Sequence, residues 1–363
     1  KGRFASRALR VLGFEYKELS NTKGLSIDDS ENDLIFVGLV GMIDPPREGV
    51  KEAILDCEEA GIKIMVITGD HALTAQAIGE QIGLFKEGDI VLTGEDLEKI
   101  TYSELVSCIN NIRIVARIMP IQKLRIVNAL QQAGHIVAMT GDGINDAPAL
   151  KKADIGIAMG ITGTAVSKQV SKAILVDDNF TTLVNAIREG RNIYDKIIRS
   201  VKYVLSCNFG EILAVLIAIF LGLPLILLPL QILLMNFLIE TFPSLGLSFE
   251  NEEKDIMKRK PRNPREKTIT KETLITIILF GAVMALGTVF LFSMYKINDL
   301  SKAQTVAFAC LMMFQMFAVI SSRSLKNRLE SLNIFTNLWL TGAILISIFI
   351  QIAVIYLVPL QRV

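Results

Sequence analysis

Five long apolar runs crowd the C-terminal part of the chain, at roughly 203–222, 224–248, 274–295, 303–322 and 335–358. Each is close to the ~20 residues a helix needs to cross a bilayer. Residues 1–200 look different, with mixed charge and frequent turn residues. The mean hydropathy of +0.45 is therefore an average over two unlike regions. This contrast predicts a soluble domain followed by an α-helical membrane bundle in a lipid bilayer. The loops set an orientation. Residues 251–272 and 321–333 are rich in Lys and Arg, whereas LGLPLILLP (221–229) has no charge. The positive-inside rule puts both basic loops, and the soluble domain, in the cytoplasm.

Within 31–195 the pattern alternates. Strands are expected at 34–43, where the run LIFVGLVGMI reads as buried, and at 63–70, 113–118, 135–143, 153–159 and 172–177. Helices are expected at 51–62, in HALTAQAIGEQIGL and in IQKLRIVNALQQAG. Strands alternating with helices argue for an α/β domain with a parallel sheet covered on both faces. Residues 1–30 read as helix and turn with too few apolar positions for a core, the tail of another domain. The chain opens on Lys-Gly-Arg, and its last apolar run nearly reaches the terminus, so we expect a piece of a longer protein.

Ligands of open α/β sheets bind beyond the carboxyl ends of the strands. Two polar clusters fall there. TGDGINDAPAL (140–150) places Asp142 and Asp146 around a Gly-rich turn. Acids so placed can hold Mg²⁺ with phosphate oxygens; an Asp/Gly turn that caps the next helix is the lesser alternative, because the string is long and specific. ITGDHALTA (67–75) offers Thr68, Gly69 and Asp70, which suit a phosphoryl oxygen; helix capping is the rival explanation. In ARIMPIQKL (116–124), Lys123 could neutralise a transferring phosphoryl group, although a helical Lys is usually a solvated one. The paired prolines of IDPPR (43–47) read as a stiff link.

The membrane runs carry acids, which are costly there and usually functional. Asn208 and Glu211 share a helix face, as do Asn236 and Glu240. Two helices could aim oxygens at one hard cation such as Ca²⁺, or the same groups could hold the bundle together by hydrogen bonds. Pro243 can loosen the helix and free carbonyls. The four cysteines show no metal-ligand spacing, and only His71 and His135 are histidines. A net charge of +1 suggests no nucleic-acid partner.

VGMIDPPR, TGDH with Thr74, ARIMPIQK, TGDGINDAPAL and LVDDNF (175–180) stand in the order found in P-type ATPases. The chain resembles that family over nearly its whole length, and SCNFGE (206–211) and 229–250 are similar to the fifth and sixth membrane helices of its Ca²⁺ branch. The resemblance implies a haloacid-dehalogenase-like (Rossmannoid) phosphorylation domain at 31–195 and a transport domain at 196–363 with helices like the fifth to ninth. Residues 1–30 would be a remnant of the nucleotide-binding domain. It implies ATP and Mg²⁺ as cofactors, with Asp142 on Mg²⁺, Thr68 on phosphate beside Gly69 and Asp70, Lys123 neutralising charge, and Asn145 and Asp146 supporting the phosphate and the metal. The transported cation, Ca²⁺ first, would be held by Asn208, Glu211, Asn236, Glu240 and Gln315. In place of the Thr, Asp and Glu of the sarcoplasmic-reticulum type the chain has Ile239, Glu240 and Gln315. That departure implies one ion site and leaves Mn²⁺ or a monovalent ion open; Gln315 could be a ligand or a packing residue.

No DKTG occurs in the 363 residues, so the phosphorylated Asp is expected in an upstream part of the same polypeptide. The alternatives are a P-type pump for another cation, such as Mn²⁺ or Na⁺, and a truncated, non-catalytic membrane partner protein. The short loops suggest the plasma membrane of a bacterium.

Overall fold

The computed structural model describes residues 9–18, 31–42, 45–264, 266–297, 299–324 and 336–357. The chain falls into two compact units, Lys1–Ile187 with Met257–Pro261 and Arg188–Ile256 with Arg262–Val363.

Among its described residues the first unit contains two parallel three-stranded sheets and one antiparallel ribbon. One sheet has the order β3 (Val66–Ile67), β5 (Ile112–Ala116), β4 (Ile90–Thr93), all parallel. Strand β5 is a near-continuous apolar run because both its faces are covered. Val115 and Ile112 pack with Leu97, Leu105, Ile126 and Ala129, while Ile114 and Ala116 pack with Ala75. Those partners come from α2 (Ala72–Gln81), α3 (Gly94–Lys99), α4 (Tyr102–Cys108) and α5 (Pro120–Gln132); α1 is Val50–Glu59. Thr93 and Thr101 start α3 and α4 with reciprocal capping boxes to Asp96 and Glu104. The other sheet has the order β6 (Ala138–Gly141), β7 (Ile155–Met159), β8 (Ala173–Leu175), with α6 (Ala147–Lys152) and α7 (Ala165–Val170) between its strands.

Several expectations change. Residues 10–16 are not helical; Arg10–Tyr16 forms β1, paired antiparallel with β2 (Ile35–Met42). The run RVLGFEY is rich in residues that suit a pleated strand, and its partner lies too far along the chain for local reading to see. Residues 1–8 and 19–30 lie outside the described residues, as do Ile43 and Asp44 of the IDPPR motif. The strand expected at 34–43 exists but is not buried: Phe36 is 58% and Val37 64% exposed. The strand expected at 63–70 shrinks to two residues, and β4, α3 and α4 went unforeseen because they are only four, six and seven residues long.

Among the described residues, five helices are long and apolar enough to cross a membrane. The first, α8, runs Phe180–Phe220, with Arg188 onward in the second unit. The second span, Pro229–Leu247, is interrupted. It consists of α9 (Pro229–Leu234), a π-helical segment Met235–Ile239 and α10 (Thr241–Leu247). The others are α11 (Lys271–Tyr295), α12 (Leu300–Ser322) and α13 (Leu338–Tyr356). Phe292, Phe308, Leu311 and Met235 lie in their common core. At one end Arg323, just past α12, donates two hydrogen bonds to Glu250 at 3.0 and 2.9 Å. Asn337, the N-cap of α13, donates to Glu250 at 2.9 Å and to the Gly246 carbonyl at 3.0 Å. Buried charges need such complete pairing, and this network ties the ends of α10, α12 and α13 together.

Candidate functional site

In the first unit the Thr68 backbone N–H donates to Val115 at 2.9 Å, the last rung between β3 and β5. The Thr68 hydroxyl then accepts from the Asp70 N–H and donates to the Asp70 carboxylate, both at 3.1 Å. Gly69 and Asp70 are exposed. The Asp70 carbonyl accepts from the Arg117 N–H at 3.1 Å, and Arg117 has a left-handed φ of 51°. A non-glycine residue held there is strained, and such strain gathers at functional sites. Arg117 leads into α5, where Pro120 sits at the first helical position and Lys123 follows in the first turn.

Lys123 pairs with Asp146, which is buried. Asp146 also accepts from the Gly143 N–H at 3.3 Å. A Cβ at Gly141 would lie 2.7 Å from the Asp146 Cβ, so the loop closes this tightly only with glycine there. Asn145 and Asp142 are exposed. Among the described residues no side chain bonds the Asp142 carboxylate, whereas its carbonyl accepts from the Thr164 N–H at 2.9 Å and the Ser167 hydroxyl at 3.0 Å. Sequence reading missed Thr164 and Ser167; their cap-like spacing was the available signal. A free carboxylate beside a pinned backbone fits a Mg²⁺ ligand. No hydrogen bond joins the Thr68 turn to the Asp142 loop directly among the described residues. They are connected through Arg117, the start of α5 and the Lys123–Asp146 pair.

Asp178 buttresses the next strand exit. Its carboxylate accepts from the N–H groups of Gly160, Ile161 and Thr162 at 2.6, 3.0 and 2.8 Å, and from the Thr162 hydroxyl at 2.8 Å. Burial pushes its pKa up, but these four donors together outweigh it and bring the value down to about 2. Arg47, the Arg of IDPPR, donates to the Asp178 carbonyl at 2.6 Å. The motif read as a stiff link therefore also contributes a clamp.

In the second unit all five residues singled out for the cation enter one polar cluster. Asn208 donates to Glu240 at 3.3 Å. Gln315, fully buried, donates to Glu211 at 2.8 Å. Asn236 lies close to the Glu211 carboxylate. Cys207, which sequence reading passed over, lies close to Glu240; its adjacency to Asn208 was the signal. Three buried oxygens, Asn236 Oδ1, Glu240 Oε1 and Gln315 Oε1, have no hydrogen-bond partner among the described residues. No group of three or more His, Cys, Asp or Glu residues able to hold a metal occurs among them either. A cation here would need amide oxygens beside the two acids. A groove of about 700 Å³, lined by Ser200, Asn236, Glu240, Thr241, Ser244 and Ser248 among others, reaches this cluster.

The family model for haloacid dehalogenase-like hydrolases matches residues 9–154, and that for the C-terminus of cation transporting ATPases matches 224–363. A calcium-transporting ATPase of Bacillus subtilis is 44% identical over 98% of this chain and 40% of its own length. The chain belongs to the P-type ATPases. Calcium-transporting ATPase 1 of Bacillus cereus is 42% identical over 98% of this chain and 42% of its own length. The human calcium-transporting ATPase type 2C member 1 is 36% identical over 100% of this chain and 38% of its own length. This P-type ATPase chain thus spans about two fifths of the length of the curated relatives it matches. Its α/β unit is the haloacid-dehalogenase-like part, and its helical unit carries the five candidate spans.

Proposed function

We propose that the full-length protein is an ATP-driven pump that moves Ca²⁺ out of the cytoplasm through an aspartyl-phosphate intermediate, in the plasma membrane of a bacterium. The observation that carries this reading is the pair of buried acids, Glu211 and Glu240, among neutral hydrogen-bond partners, with one Glu240 oxygen and the amide oxygens of Asn236 and Gln315 left without donors among the described residues. Such a cluster lacks a positive charge, and a hard cation supplies one. The names of the curated relatives favour Ca²⁺. Gln315 and Ile239 contribute no charge, which supports a single ion.

In this reading residues 31–195 are the phosphorylation domain, 196–363 the transport domain and 1–30 a remnant of the nucleotide-binding domain. The nucleophile comes from an upstream part of the polypeptide, since no DKTG stands in the sequence. Thr68 and the exposed backbone of Gly69 and Asp70 bind phosphoryl oxygens. Asn145 and Asp146 support that site, and Asp146 keeps Lys123 oriented beside it. Asp142 would hold Mg²⁺, whose charge offsets that of the phosphate. Phosphorylation of the full-length protein from labelled ATP across Ca²⁺, Mn²⁺ and Na⁺ tests the proposal. Ca²⁺ is expected to stimulate at micromolar levels; stimulation by Mn²⁺ or Na⁺ alone would reassign the cargo, and none by any ion would overturn the pump reading.

A further inference from the structure

Pro243 has no N–H, so the Ile239 carbonyl four residues before it loses its helical partner. The loss falls beside the π-helical segment, where the Glu240 N–H bonds Met235, five residues back, at 2.9 Å. The carbonyl of Asn236 is displaced from that bond and accepts from the Thr241 hydroxyl at 3.3 Å. Glu240 keeps its own carbonyl bond to the Ser244 N–H at 3.0 Å, but the backbone just before it carries two carbonyls, those of Asn236 and Ile239, without their ordinary helical partners. π-helical turns are rare and gather at functional sites, and in a membrane the carbonyls they free are re-satisfied by neighbouring groups such as Ser or Thr side chains.

That support comes from α13. The Ser347 hydroxyl, fully buried, donates to the Ile239 carbonyl at 3.3 Å. Seven residues earlier on α13, Leu340 packs so closely on Gly246 that a Cβ there would lie 2.8 Å from the Leu340 Cα. Asn337 grips the Gly246 carbonyl at 3.0 Å. Residue numbers rise along α13 as they fall along the interrupted helix, so the two run antiparallel with Ser347 beside Ile239. Buried Leu340, Ala343 and Ser347 lie on one face of α13, and the Gly246 contact leaves no slack for that face to slide.

We infer that Ser347 is a positioning residue for Glu240: by replacing the hydrogen bond that Pro243 removes, it fixes the Ile239–Glu240 peptide and with it the direction of the carboxylate toward the cation. The inference rests on the proposed function only for what Glu240 is positioned to do. Among the described residues the Ser347 hydroxyl bonds only the Ile239 carbonyl and no side chain of the polar cluster.

Two readouts on the full-length protein test it. Amide hydrogen exchange of segment 235–244, measured without added cation, is expected to be about fivefold faster in Ser347→Ala, the order of one lost hydrogen bond. In Ser347→Thr, which keeps the hydroxyl, it returns to within about twofold of wild type. The Ca²⁺ concentration for half-maximal phosphorylation is expected to rise about fivefold in Ser347→Ala, with the maximal phosphoenzyme level unchanged and with Ser347→Thr restoring affinity. Unchanged exchange in Ser347→Ala overturns the inference whatever the ion. So does a Ser347→Thr variant that behaves like alanine, since packing alone would then explain the site. If the wild type showed no cation response, the pump reading would fall, while the exchange arm would still decide whether Ser347 holds the segment.

Discussion

Asp146 and Glu240 are both buried carboxylates, yet their surroundings are opposite. Asp146 faces a cation of its own chain, Lys123, and the Gly143 N–H. Glu240 accepts from the neutral Asn208, lies near a second acid, Glu211, and keeps one oxygen without a partner among the described residues. A buried acid with its counter-ion built in is a fixed part of a site. A buried acid without one needs a charge from elsewhere, and a transported cation meets that need. The Asp146 carboxylate is thus charge-balanced as it stands, and the Glu240 carboxylate is not.

Changes at the unbalanced site should have the largest effect. Glu240→Gln is expected to weaken Ca²⁺ activation of phosphorylation in the full-length protein by about a hundredfold, the scale of losing a charged ligand of 2–3 kcal/mol. An effect below about threefold would mean that Glu240 is structural. At the balanced site, Lys123→Met strands the Asp146 carboxylate and should cost about 3 kcal/mol of stability. Adding Asp146→Asn should recover most of that stability, as denaturant unfolding of the α/β unit in the full-length protein would show, without recovering phosphorylation. Equal losses in the single and double variants would break the comparison.

Gly141→Ala should cost about 1–3 kcal/mol, because the new methyl meets the Asp146 Cβ in a turn with no room to yield; an unchanged unfolding midpoint would contradict it. The smallest effect is expected at Asp178. Its folded pKa of about 2 lies below its ordinary value of 3.8. Its contribution to stability is therefore whole above about pH 4 and is lost as the pH falls toward 2. Asp178→Asn should flatten the acid limb of unfolding in that window and leave the neutral limb parallel to wild type. An acid limb as steep as in wild type would show that other carboxylates set it.

The spans and most parallel strands were legible because a long apolar run or a strand–helix alternation is a local signal. The ribbon of β1 and β2 was not, since its pairing joins residues 19 to 32 positions apart and depends on a partner rather than on periodicity. Lys123 and Asp146 were each visible, but the pair they form closes across 23 residues and two elements. The break in the second span was half legible: Pro243 announces it, whereas the π-helical turn and the Ser347 hydroxyl that answers it come from tertiary packing. Cys207 was overlooked because a cysteine outside any ligand spacing reads as core.

The central claim is that Glu211 and Glu240 await a cation. Equilibrium binding of radiolabelled Ca²⁺ to the purified full-length protein without ATP tests it most directly. The account predicts one saturable ion per chain in the wild type and none at the same concentrations in Glu240→Gln. Saturable binding that survives Glu240→Gln unchanged would contradict it.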